Sequence, residues 1–147
     1  MKKKVIASSI LLFGMLAFQP TTVAAETTEV SANCPSDYVV MIPPDQVITE
    51  RQAEIGEVSI YGTIEPGKII RLTTTSDEFI HENGVNKVPF IVKSNNVLWT
   101  EDTWNEAELI QGQEKSVTLG IEIGEMNWLF AKPGSYRAKI IYKTKIE

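Results

Sequence analysis

The chain has 147 residues, 43% hydrophobic and 22% charged, with 14 basic against 19 acidic side chains and a formal net charge of −5. An acidic balance argues against general affinity for nucleic acid or anionic lipid, because both reward positive charge. One cysteine, Cys34, excludes an internal disulfide framework, and one histidine, His81, leaves triad chemistry a single candidate base.

The first segment, Met1-Lys2-Lys3-Lys4, is charged and free of acidic residues, and Val5 to Phe18 is an apolar run. About fourteen apolar residues match a signal-peptide core, whereas a membrane span needs about twenty. Pro20 breaks the run, and Val23-Ala24-Ala25 supplies the small residues that cleavage requires. Residues 1–25 are therefore expected to be a removed signal peptide, with no membrane insertion after cleavage. The mature chain would start at Glu26, with 122 residues and, three lysines fewer, a charge of −8. That is one domain, large enough to bury a core without staples. It is expected to be secreted, extracellular or loosely surface-associated. No LPxTG-like sorting signal and no Asn-x-Ser/Thr site occurs, and Cys34 follows no lipidation box.

Residues 26–36 are small, polar and unpatterned, and read as a flexible arm. Tyr38 to Ile42 is a short apolar strand ended by Pro43-Pro44. A second strand places Val58, Ile60, Gly62 and Ile64 on one face and Glu57, Ser59, Tyr61 and Thr63 on the other. Glu65-Pro66-Gly67 has type II turn chemistry and leads into β-branched Lys68–Thr75, so these two runs read as a hairpin. Ser76–Asn86 reads as a loop or helical turn. Lys87–Lys93 is another strand, placed at an edge or bulge by Pro89. Asn95-Asn96 turns into Val97-Leu98-Trp99. Thr103 and Glu106 have capping-box spacing, which predicts a short helical stretch near Ala107. Lys115–Ile123 alternates cleanly, with Val117, Leu119, Ile121 and Ile123 on one face. Lys132-Pro133-Gly134-Ser135 then turns the chain into its clearest strand. There Tyr136, Ala138, Ile140, Tyr142 and Ile146 share one face, and Arg137, Lys139, Lys143 and Lys145 the other. About seven such strands without a long amphipathic helix predict an all-β fold: an antiparallel two-sheet, immunoglobulin-like β-sandwich over residues 37–147. If its last strand pairs on both sides, that strand staples the fold.

Two stretches, "DYVVMIPPDQVI" at Asp37–Ile48 and "KPGSYRAKIIYKTKI" at Lys132–Ile146, resemble the opening and closing strands of small exported β-sandwich proteins of Gram-positive bacterial surfaces and matrices. "EPGKIIRLTT" at Glu65–Thr74 fits the turn and strand between them, and the closing Gly-x-Tyr strand is similar to that of fimbrial subunits. The resemblance implies an immunoglobulin-like extracellular fold used for surface, matrix or fibre building, and no catalytic residue.

Signals for chemistry are few. Cys34 lacks the electropositive neighbours that activate a thiol, no HExxH, CxxC or paired-His spacing exists, and glycine-rich phosphate loops are absent. No enzyme, cofactor or metal is expected, and His81 reads as an ordinary loop histidine. Glu101, Asp102, Glu106 and Glu108 cluster beside Trp99 and Trp104. A tryptophan face with nearby carboxylates can grip a sugar, so Trp99, Trp104, Glu101 and Asp102 are candidates for carbohydrate or another cell-surface ligand. Core packing is the plainer reading of the two tryptophans. Charge is also uneven: seven acids and one lysine between Glu101 and Glu125, then five basic residues and no acid from Lys132 to Lys145. Each set reads most simply as a solvated face, but complementary faces can also pair subunit to subunit. The arm running into the Tyr38 strand offers a second route, strand addition to a neighbour's open edge. Candidates for self-association are Cys34, Tyr38, Val40, Lys139 and Lys143. The expected function is that of a secreted, non-enzymatic structural or fibre-forming protein acting through protein–protein contacts, with a secreted carbohydrate-binding module as the alternative.

Overall fold

The computed structural model describes residues 27–147 and, before them, only the backbone of β1 (Val5–Ile6), which pairs antiparallel with β2 (Thr27–Thr28). Apart from Val5–Ile6, the expected signal peptide therefore lies outside the described residues. Residues 1–34 and 35–147 are separate compact units. In the second unit the chain is mostly strand, and every pairing is antiparallel.

Five strands form the larger sheet, in the order β3 (Asp37–Met41), β4 (Gln52–Thr63), β11 (Ser116–Ile123), β8 (Phe90–Ser94), β9 (Val97–Leu98). A second sheet orders β10 (Glu101–Asn105), β5 (Ile69–Ser76) and β13 (Ile140–Ile146). A third orders β12 (Tyr136–Arg137), β6 (Phe79–His81) and β7 (Lys87–Val88). The last two sheets continue one another, because β5 runs into β6 and β12 into β13 through a shared bend. At the bend Asp77 N donates to Lys139 O at 3.3 Å, and Lys139 N donates to Asp77 Oδ1 at 2.7 Å.

One core cluster draws side chains from both layers. Ile55, Val58, Ile60, Leu119, Ile121 and Val92 come from the five-stranded sheet, and Ile70, Leu72 and Trp104 from the other. The alternation read in the sequence is this burial. It holds along β4 only because of a bulge. Ile55 and Gly56 together occupy one step opposite Leu119–Gly120 of β11. The extra residue shifts the parity, so Ile55 joins Val58 and Ile60 in the core, and Glu54 points outward.

The expected hairpin is not formed. Lys68 N does donate to Glu65 O at 3.1 Å, closing the turn that was read there. However, β4 pairs with β3 and β11, whereas β5 pairs with β10 and β13. Both strands have an apolar face to bury, and crossing between layers lets those faces meet, which lying side by side would not. The chain crosses again at Pro89, between β7 and β8, and at Trp99-Thr100, between β9 and β10. Pro89 thus marks a switch of sheet. Asn95 and Asn96, at φ 51° and 64°, make the tight turn between β8 and β9.

Four further elements differ from the sequence reading. Part of Ser76–Asn86 is strand β6. The short helical stretch near Ala107, a 3-10 turn over Glu106–Leu109, is capped by Asn105 and Glu108, two residues later than expected. A five-residue helix, α1 (Glu125–Leu129), follows β11. Among the described residues the final strand pairs on one side only, with β5, so it is an edge rather than a staple.

Strand β3 sits where it does because residue 62 is glycine. Gly62 has φ +146°, and a Cβ there would lie 2.6 Å from the Cα of its partner Tyr38. Gly62→Ala is expected to cost about 1–3 kcal/mol of backbone strain and to free β3. Thermal unfolding and limited proteolysis near Tyr38 will show both effects. On β13, burial raises the Tyr142 phenol above 10.0. An acid whose pKa is raised by folding stabilises the fold below its unfolded value, and that contribution is lost as pH rises through the folded pKa. Stability should therefore fall above about pH 10, and Tyr142→Phe should flatten that decline in alkaline denaturation curves.

Candidate functional site

The expected sugar-binding group does not assemble. Trp104 is fully buried and Trp99 nearly so, and both belong to the core. Neither indole presents a face on which a sugar could stack. Period-two alternation puts Trp104 on the inner face of β10, where its Nε1 donates to Lys115 O at 2.9 Å. Lys115 Nζ lies 4.9 Å from the centre of the same ring and donates to Asp102 Oδ1 at 2.7 Å and Thr103 O at 2.9 Å. Asp102, half-buried, is thereby tied to Lys115. Glu101 is outward, 3.4 Å from Arg71, which also meets Glu147 at 3.1 Å. That contact holds the Glu147 carboxyl below its ordinary value.

Three more acids of the acidic stretch are likewise tied down. Glu122 pairs with Arg51 and Lys93, Glu108 caps Asn105, and Glu114 accepts from Gly112 N at 2.6 Å. His81 is buried, with Nδ1 accepting from Asn83 N at 3.0 Å and Nε2 therefore donating to Pro133 O at 3.0 Å. Both nitrogens are occupied in joining two turns, and the ring packs edge-on to Tyr136 at 4.9 Å. Among the described residues no group of three or more His, Cys, Asp or Glu is placed to hold a metal ion.

The self-association candidates divide. Tyr38 and Val40 point inward against the core, and Tyr38 Oη lies 2.9 Å from Thr144 Oγ1 on β13. Their use as surface contacts is corrected: the outward side chains of β3 are Asp37, Val39 and Met41, the last two 45% and 51% exposed. Lys139 and Lys143 are exposed, as is Cys34, which is a free thiol.

What remains open is the set of sheet edges. β13 is guarded by Lys143 and Lys145, β10 by Glu101, and β9 is two residues long, all devices that discourage edge pairing. β3 has five residues, Asp37-Tyr38-Val39-Val40-Met41, with no lysine, proline or bulge before Pro43; its one charge, Asp37, is at the first residue. Among the described residues it pairs with β4 alone. Residues 29–36, which lead into it, are without helix or strand and are exposed up to Ser36.

The second open feature is the α1 tip. Every residue from Gly124 to Phe130 is exposed, including Met126 at 62%, Trp128 at 41%, Leu129 at 67% and Phe130 at 73%. The helix contributes no buried residue. Sequence reasoning missed it, since five residues are too few for a helical period to show. Comparison with protein-family models, curated proteins and solved structures finds no match for this chain.

The two core tryptophans differ in one atom's environment: Trp99 Nε1 has no hydrogen-bond partner among the described residues. Trp104→Phe orphans Lys115 O and leaves a void, and is expected to cost about 2–4 kcal/mol. Trp99→Phe removes an unpartnered donor and should cost about 1 kcal/mol. Parallel urea titrations of the two variants give the comparison.

Proposed function

We propose that the chain is an exported, non-enzymatic β-sandwich of immunoglobulin-like layout that serves as an extracellular building block, assembling through its β3 edge. The observation that carries this reading is the contrast among edges. Every strand has two hydrogen-bonding sides, and an edge left plain is a template for another chain. Among the described edges, only β3 joins length, β-branched residues and two outward apolar side chains, and its one charge, Asp37, stands at its first residue. Support for the sandwich comes from the single core cluster fed by both layers.

The donor is the arm of a neighbouring copy. Residues 27–36, "TTEVSANCPS", are free of lysine and arginine and include Glu29. Tyr38 bonds to Thr144, so β13 with its exposed Lys143 and Lys145 lies beside the acceptor edge. An arm with an acid and no base suits that neighbourhood. A strand pairing by its backbone needs no pocket, which agrees with the two surface depressions near Gln46–Glu54 and Lys93–Asn96 being open.

Light scattering of the chain from Glu26, across protein and salt concentration, tests this reading. Wild type is expected to grow into oligomers or fibres. Removing the residues before Pro35 takes away the donor and spares the second compact unit. Val39→Lys with Met41→Lys guards the acceptor and, being at the surface, should shift stability by no more than about 0.5 kcal/mol. Both variants should be monomeric. A monomeric wild type, or unchanged assembly by the lysine variant, would overturn the proposal.

A further inference from the structure

The α1 tip has no part in that assembly. Met126, Trp128, Leu129 and Phe130 together expose on the order of 500 Å², at the upper end of what a monomer's largest apolar patch shows. They stand on a helix that buries nothing, so the core gains nothing from their apolar character.

We propose that this tip docks the protein on a lipid bilayer, by lying in the interface between headgroups and acyl chains. Three observations favour that occupant. First, the four types are those that partition best into a bilayer interface, with tryptophan at headgroup level. Second, a two-fold contact between tips falls short of the ~800 Å² per partner of a standard interface, and a bilayer needs no shaped partner. Third, the tip is framed by basic side chains suited to lipid phosphates. Lys132 follows Phe130 by two residues, and Arg137, Ile80 and Lys87 face one another across β12, β6 and β7, all exposed. Topology puts that sheet at the same end of the molecule. Ile123, two residues before α1, pairs with Phe90, three residues after Lys87. Glu125 and Glu82 are acidic neighbours, and the whole chain is acidic, so apolar burial drives the docking and charge only orients it. Among the described residues no helix is long and apolar enough to cross a membrane, and this contact does not require one.

Trp128 makes the test selective, because Trp99 and Trp104 are buried. The chain from Glu26 is mixed with phosphatidylcholine vesicles whose acyl chains are brominated near the carbonyl end. Co-sedimentation and quenching of about one third of the tryptophan emission are expected, one indole of three being in reach. Trp128→Phe should still sediment but lose the quenching. Leu129→Ser with Phe130→Ser should lower partition at least tenfold, with the unfolding midpoint unchanged. Adding phosphatidylglycerol should strengthen binding only a few-fold. The variant Val39→Lys with Met41→Lys should bind vesicles like wild type, which separates this result from the assembly reading. Absence of quenching, equal binding by the serine variant, or binding only to vesicles containing phosphatidylglycerol would each overturn the proposal.

Discussion

The fold rests on one constraint: two antiparallel layers, each with one apolar face, have to close on the same core. Trp104 shows the constraint most sharply. Its indole is fully enclosed, yet its N–H reaches a main-chain oxygen of Lys115, and the lysine's amine returns to the strand that carries the ring. An apolar side chain, a backbone hydrogen bond and an ion pair are thus satisfied within about fifteen residues of chain. The crossings at Glu65–Lys68, Pro89 and Trp99-Thr100 all follow from the same demand, since each carries the chain from one layer to the other.

The faces of the strands were legible from sequence, whereas their neighbours were not. Alternation states which side chains are buried together, and Val58, Ile60, Leu119 and Ile121 are in the core as their spacing implies. It is silent on which strand lies alongside, so a sound turn at Pro66-Gly67 was read as a hairpin although it joins two layers. The bulge at Ile55-Gly56 was illegible for a related reason. A parity shift costs one residue and becomes visible only against a partner strand.

The candidate site divides along the same line. Tryptophans beside carboxylates attract a ligand reading, but two of the three rings are core and Asp102 is bound to Lys115. The third ring, in "EMNWLF", is the exposed one, and an apolar run in a sequence ordinarily signals burial. Edge character is equally hidden, because it depends on what a strand is not paired with. The composition of β3 could be read, but its status as an open edge required the full strand order.

The bond between Tyr38 and Thr144 has a geometric consequence. Two residues separate Pro35 from Tyr38, and two separate Thr144 from Glu147, so the two ends of the second unit emerge side by side. A unit whose ends adjoin can be spliced into a loop of a host protein without prising that loop apart. It can equally be closed by a brief linker and reopened at an exposed turn such as Gln111–Gln113. The chain's order of strands is in this sense separable from its architecture: the layers would survive a different starting point.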